Sequence, residues 1–246
     1  MVSYPEKERY DYNDLLQIMR ILRSPGGCIW GREQTHESIR RDFLEEVYEV
    51  CEAIDEKSPE HLCEELGDVL LQVVFHADIA QEEGLFTQLE VCDGICRKLI
   101  YRHPHVFGDV SVSSSAEVLD NWDQLKQKEK AQQTGTDVLC AVSKALPALW
   151  RAEKLQHKAA KRGVKQTPDE AAARIKAAAE ALPAAPTAEN VGQALGALLF
   201  AAAGLCDSLE LDSEAVLTAA SQSFIDRFAA AEASGAALSA KLLDEE

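Results

Sequence analysis

The sequence has few basic residues for its length, and this shortage excludes one broad class of function. Its 25 Lys and Arg face 42 Asp and Glu, which gives a formal net charge of -17. Proteins that bind nucleic acid non-specifically neutralise phosphates with Lys and Arg. The composition therefore predicts a globular protein that has no nucleic-acid partner.

The sequence also shows no paired-cysteine motif and no segment typical of export or of membrane insertion. The seven cysteines form an odd set without any C-x-x-C spacing, so neither a disulfide framework nor a zinc site is predicted. The N-terminal residues have no apolar run typical of a signal peptide. The most apolar stretch, 191–206, is shorter than the ~20 residues of a membrane span. We expect a cytoplasmic protein with free thiols and no membrane partner.

The hydrophobic pattern is helical, and no segment alternates as a strand does. Apolar residues recur at three and four positions, as at Leu62, Leu66 and Val69, and Ser58-Pro59 is a typical helix start. The fold class predicted is all-α. The helices expected are 11–22, 36–56, 59–83, 87–102, 115–130, 144–161, 168–182, 188–209 and 213–238.

Three pairs of segments resemble each other in the same order along the chain. The offsets between the members of each pair are 131, 129 and 125 residues, and the pairs are 15–20 with 146–151, 65–71 with 194–200, and 99–103 with 224–228. This order favours an internal duplication. We predict two tandem helical modules with four-helix-bundle-like packing, at 1–131 and 142–246, joined by a linker at 132–141.

Carboxylates at helical spacing are the most informative feature of the first module. Glu46 and Glu49 share one face of a helix, and Glu65 and Asp68 share one face of the next, which is otherwise strongly apolar. Carboxylates brought together in a bundle repel one another unless a cation lies among them. Because oxygen ligands suit hard cations, the pattern predicts a Mg²⁺ site that Mn²⁺ can also occupy.

Other charged residues have simpler explanations. Glu45, Glu52 and Glu56 are read as a solvated helix face. Lys98 and Arg102 lie one turn apart and have the spacing to grip phosphate oxygens, although surface bases often show the same spacing. The histidines at 103 and 105 are read as loop or capping residues without a chemical role.

Together these motifs resemble one known family. The combination of EExxE, ExxD, the Gly-Cys-Ile-Trp turn at 27–30, ELGDVLLQVVF and KLIYRHPHVFGD is similar to that of the MazG nucleoside triphosphate pyrophosphohydrolases in their two-module form. The resemblance is strong over residues 11–130 and weak over 140–238. It implies a homodimer that hydrolyses NTPs and dNTPs to monophosphate and pyrophosphate, by attack of a metal-activated water on the α-phosphorus.

The resemblance also assigns roles to particular residues. It implies that the four carboxylates are the metal ligands and catalytic residues, and that the two bases bind the substrate phosphates: Glu46, Glu49, Glu65, Asp68, Lys98 and Arg102. Trp30 is either a stacking platform for the nucleobase or a plug at the start of the helical core. The turn reads Cys-Ile-Trp-Gly where the family usually has Cys-Pro-Trp-Asp, so the contribution of that Asp is missing.

The second module lacks the residues that would make it catalytic. At the offset of 129, Ala194 and Ala197 stand in place of the second pair of acids, and Ser223 replaces the lysine. Arg227 alone is retained. We therefore expect a structural second module.

The sequence suggests two alternatives to this enzyme, of which one stays open. A non-catalytic dimerisation or regulatory module, binding nucleotide or a protein partner, is favoured by the altered turn and the degenerate second half. A di-iron bundle needs two Glu-x-x-His motifs, and only Glu33 with His36 supplies one, so this alternative is set aside.

Overall fold

The computed structural model describes residues 4–182, 187–235, 239 and 243, and in this part of the chain there are helices and no strands. The all-α prediction is confirmed. The helices are α1 Tyr12–Arg23, α2 Ile29–Glu33, α3 Arg40–Asp55, α4 Pro59–Glu82, α5 Gln88–Arg102, α6 Pro104–Phe107, α7 Ser115–Glu129, α8 Gly135–Cys140, α9 Ala148–Ala160, α10 Pro168–Ala181, α11 Ala188–Ser208 and α12 Ser213–Ser234.

The nine long helices predicted from the sequence are present, and three short ones, α2, α6 and α8, were not predicted. Helix α3 begins four residues later than expected because Thr35 and Ser38 bond to each other's backbone. The Thr35 N–H donates to Ser38 Oγ at 2.9 Å, and the Ser38 N–H donates to Thr35 Oγ1 at 3.3 Å. Such local bonds compete with helix formation. The expected end of the last helix, 236–238, lies outside the described residues.

The chain divides into two compact units, Met1–Trp122 and Asp123–Glu246. The boundary comes before the segment 132–141 that was predicted to be a linker, and most of that segment forms α8. A capping box starts this helix, because the Asp137 N–H donates to Thr134 Oγ1 and the Asp137 carboxylate accepts from the Thr134 N–H. The origin of the two units by duplication stays a prediction.

In unit 1, a small apolar core holds α4 against its neighbours. The buried side chains of this core are Met19, Ile39, Val74, Phe75 and Ile79. Helices α3 and α4 pack side by side and are joined by a connection of three residues. The side chain of Ser58 accepts the His61 N–H at 3.3 Å and so caps the start of α4. This helical hairpin fixes which residues of α3 face which residues of α4.

In unit 2, α11 packs against both α9 and α10, with Ala201, Ala203 and Gly204 buried. The helix has 21 residues, so it is longer than the apolar stretch 191–206 that the sequence suggested. By length and composition it is the one described helix that could cross a membrane. The helix packs against two helices of its own unit, and 17% of its apolar window is buried.

Candidate active site

The hairpin of α3 and α4 brings three of the predicted metal ligands together. Carboxylate oxygens of Glu46, Glu49 and Glu65 lie within 4.8 Å of one another. Glu65 is only 8% exposed, and the two glutamates of α3 are half-buried. The predicted convergence of EExxE with the first acid of ExxD is therefore found in the structure.

The electrostatics of this cluster favour a bound cation. Burial raises the pKa of Glu46, and the nearby charges of Asp68 and Glu49 raise it further. Burial also raises the pKa of Glu65, and the charge of Glu49 adds to the effect. The raised pKa values of both glutamates show that their ionised forms are destabilised at these positions. A divalent cation among these oxygens would remove that cost.

Asp68 and Gln72 continue the polar stripe of α4 beyond Glu65. Asp68 is half-buried and lies outside the trio of converging oxygens, so its part in a metal site stays a prediction. Gln72 is 7% exposed, and its Oε1 has no hydrogen-bond partner among the described residues. The side chains on this face thus offer oxygen donors, which is the donor set that Mg²⁺ and Mn²⁺ prefer.

The two predicted phosphate-binding residues lie near the end of α5 and differ in environment. Lys98 is exposed. Arg102 is 6% exposed, and its guanidinium carbon lies 5.4 Å from the ring centroid of Trp122. His103 ends the helix as its C-cap, as expected for a capping residue, and Nδ1 lies 2.6 Å from the carbonyl oxygen of Leu99. The phosphate-binding role of both bases stays a prediction.

Trp30 lies on the short helix α2, which the sequence did not predict. The Cys28 thiol caps this helix by accepting the Gly31 N–H at 3.4 Å. The Trp30 ring meets Phe75 edge to face, with centroids 6.3 Å apart, and remains 58% exposed. Since more than half of its surface is open, Trp30 is an anchored ring with a free face rather than a buried plug.

The approach to this turn requires a glycine at position 27. A Cβ placed there would lie 2.2 Å from the carbonyl oxygen of Ile21 and 2.4 Å from that of Leu22. The chain folds back so tightly over the end of α1 that the Cys28 N–H donates to the Leu22 carbonyl at 2.7 Å. Gly27 therefore sets where Trp30 lies.

The sequence analysis did not identify Arg23, which stabilises the same turn through its guanidinium. Its guanidinium is buried, donates to the carbonyl oxygen of Gly31, and bonds to Glu82 at 2.6 Å and 3.2 Å. It also lies 3.6 Å from Asp78 and 5.3 Å from the centroid of Phe75. Nothing local distinguished Arg23 from Arg20, the other arginine of α1, because the carboxylate partners of Arg23 are distant in the sequence.

Unit 2 carries no comparable cluster in the part of the chain that the structure describes. Ala194 is half-buried and Ala197 is exposed on α11, at the positions that the predicted duplication would pair with Glu65 and Asp68. Neither side chain has a ligand atom. Helix α11 packs against α9 and α10 without acids at these positions.

Comparison with known proteins agrees with this geometry. Residues 34–107 match the MazG nucleotide pyrophosphohydrolase domain, and this segment contains all the acids of the cluster. The chain is 40% identical to the nucleoside triphosphate pyrophosphohydrolase/pyrophosphatase MazG of Thermotoga maritima, over 88% of this chain and 84% of that protein. It is 41% identical to the nucleoside triphosphate pyrophosphohydrolase of Escherichia coli K12, over 87% of this chain and 84% of that protein.

A further relative covers the chain differently. The uncharacterized protein YabN of Bacillus subtilis is 48% identical over 147 residues, which is 60% of this chain and only 30% of that protein.

Proposed function

Since the chain belongs to the MazG nucleotide pyrophosphohydrolase family, we propose that unit 1 hydrolyses nucleoside triphosphates to nucleoside monophosphate and pyrophosphate with the help of Mg²⁺. The substrates are NTPs and dNTPs, and the enzyme is a hydrolase acting on acid anhydrides. Mn²⁺ is a substitute for Mg²⁺. The observation that supports this most directly is the convergence of Glu46, Glu49 and Glu65 within 4.8 Å.

The carboxylates of α3 and α4 would hold the metal, with Asp68 as the fourth ligand. When bound, Mg²⁺ supplies Lewis-acid stabilisation of the charge on the substrate phosphates. The protein's own contribution is to keep four acids on two packed helices, so that little rearrangement is needed on binding. A rigid helical hairpin suits this purpose better than loops.

The remaining predicted residues would bind the substrate. Lys98, which is exposed, is proposed to contact the phosphates as a point charge, and Arg102 to contact them through its guanidinium. Trp30 is proposed to stack on the nucleobase with its free face. Stacking tolerates any base, because every base has an aromatic face.

Unit 2 is proposed to be structural rather than catalytic. Its α11 has alanines where the acids of α4 stand, and its described residues hold no other cluster of potential ligands. The proposal that the whole chain is a non-catalytic binding module has the weaker support, because unit 1 retains the converging acids.

We propose that the chain forms a homodimer through apolar side chains on the helices that carry the site. Leu66 and Leu70 of α4 are exposed, as are Ile95 and Leu99 of α5. Exposed apolar side chains four residues apart on each helix are consistent with a protein interface, which typically buries apolar surface. The cytoplasm is the proposed location, because all seven cysteines are free thiols, and neither a membrane nor a nucleic acid is a proposed partner.

The test of this function is release of pyrophosphate and monophosphate from a panel of NTPs and dNTPs with Mg²⁺. We expect Glu49→Ala and Asp68→Ala each to lower turnover by roughly 100-fold or more, as the loss of a catalytic metal ligand should. Glu52→Ala is the matched control, since Glu52 is an exposed acid on α3, the helix that carries Glu49. It should leave turnover unchanged.

Circular dichroism should show that all three variants keep the helical content of the parent chain. Turnover that survives both ligand substitutions would place the chemistry outside unit 1. Absence of turnover in the parent chain on every substrate would favour the binding-module alternative instead.

A further inference from the structure

His61 lies one turn before Glu65 on α4, and its ring connects that glutamate to the preceding loop. The Nε2 atom of His61 lies 3.2 Å from Glu65 Oε1, and Nδ1 lies 2.9 Å from Glu56 Oε2. The ring is one-third exposed, whereas the Glu65 side chain is 11% exposed. Both nitrogens of one imidazole thus face carboxylate oxygens, one at the proposed metal site and one outside it.

The Nδ1 contact to Glu56 is a hydrogen bond, and the Nε2 contact to Glu65 is within ion-pair distance. An ionised carboxylate only accepts hydrogen bonds, so an imidazolium ring can donate to both carboxylates at once, whereas a neutral ring can donate to only one of them. The bond to Glu56 restricts rotation of the ring. The ring in turn contacts one oxygen of Glu65 and leaves the other, Oε2, without that contact.

The Glu65 carboxylate has a reason to need such support. It is buried beside the charge of Glu49, which repels it when no cation is present. A side chain repelled in this way favours rotamers that point away from its neighbour, and a metal ion would then have to bring it back. A donor that holds one oxygen in place removes part of that cost, since residues that bond to metal ligands orient them.

We propose that His61, held by Glu56, is a positioning residue that keeps the Glu65 carboxylate directed toward the metal site. This inference rests on the proposed metal site of unit 1 and deepens it. The sequence assigned Glu56 to a solvated face and gave His61 no role, although the His61–Glu65 spacing is that of neighbours on a helix.

The experiment measures Mn²⁺ binding to the full chain without nucleotide, by electron paramagnetic resonance of the free ion. We expect His61→Ala to weaken Mn²⁺ binding by about 10-fold to 100-fold, the usual effect of removing a residue that orients a metal ligand. His61→Gln keeps an N–H donor near Glu65 and should recover most of the affinity. Glu56→Ala should give an intermediate loss, because the ring stays but is no longer fixed.

His157→Ala is the matched control. His157 of unit 2 also bonds to a carboxylate, with Nδ1 3.0 Å from Asp207, but it belongs to the other unit. This variant should bind Mn²⁺ as the parent chain does. A second readout is turnover against Mg²⁺ concentration. The half-saturating Mg²⁺ concentration of His61→Ala should rise, while the rate at saturation stays close to that of the parent chain.

The possible results separate this inference from the proposed function. Mn²⁺ affinity that is unchanged or tighter in folded His61→Ala would overturn the positioning role and leave the metal site intact. A His61→Gln variant as weak as His61→Ala would also overturn it. If the parent chain itself binds no Mn²⁺, both the site and the inference fail. If His61→Ala does not fold, Glu56→Ala decides instead: Mn²⁺ affinity that is unchanged or tighter in folded Glu56→Ala would overturn the positioning role.

Discussion

Replacement of Gly27 by alanine should disturb the turn that carries Trp30. The added Cβ would lie 2.2 Å from a backbone oxygen of Ile21, whereas real Cβ atoms essentially never approach within 3.0 Å. The obstacle is backbone at the end of α1, which cannot rotate away as a side chain can. The turn would have to open, and the bond from the Cys28 N–H to the Leu22 carbonyl would lengthen or break.

The cost should resemble that of overpacking a rigid site, about 1–3 kcal/mol. For a unit of this size it corresponds to a fall of roughly 5–15 °C in melting temperature. Hydrogen exchange measured by mass spectrometry would follow peptides of unit 1 separately from those of unit 2. If Trp30 stacks on the base, the KM for nucleotide should also rise, because the ring moves with the turn.

Gly94→Ala is the matched control, because a Cβ at position 94 on α5 would meet nothing within 4 Å. Alanine in a helix interior is favoured over glycine by about 0.5–1 kcal/mol, so this variant should be slightly more stable. Equal melting temperatures and equal KM for Gly27→Ala and the parent chain would refute the role assigned to Gly27.

Two other perturbations test contacts within unit 1. Arg23→Met should destabilise the unit by about 1–3 kcal/mol, because it removes the buried donor that bonds to Glu82 and to the Gly31 carbonyl and leaves only Arg20 acting on Asp78; unchanged protection of α1 and α4 in hydrogen exchange would contradict this. The bond from Lys7 is the main cause that lowers the pKa of Asp14 to about 2. Since the folded-state pKa is depressed, this stabilisation is present above the unfolded pKa and is lost as pH falls, over roughly pH 4 to pH 2. Asp14→Asn should flatten that part of the urea-midpoint profile, and a profile as steep as that of the parent chain would refute the assignment.

The sequence predicted what depends on neighbouring residues. Helix starts were found where a cap and a proline coincide, as at Ser58-Pro59, and the long helices where apolar residues follow one face. The convergence of Glu46 and Glu49 with Glu65 could also be predicted, because helical spacing fixes the face and a short connection pairs the helices. These signals need no knowledge of distant parts of the chain.

What could not be predicted depends on contacts between distant segments. Arg23 bonds to Glu82, which is 59 positions away in the chain, and the sequence around neither residue predicts this contact. Helix α2 forms where the turn is folded over the end of α1, which a five-residue segment does not reveal by its own pattern. The late start of α3 follows from two side chains, Thr35 and Ser38, that compete with the helix for backbone bonds.

The described residues of unit 2 hold no cluster of acids, and this has a consequence for how freely each half of the chain can change. In unit 1, a substitution among Glu46, Glu49 and Glu65 alters an electrostatic balance that burial makes costly. In unit 2, Ala194 and Ala197 carry no such burden, and alanine has the highest helix propensity of all residues. Under the proposed division of roles, selection on unit 2 acts on packing, and new side chains can be introduced there with less effect on catalysis.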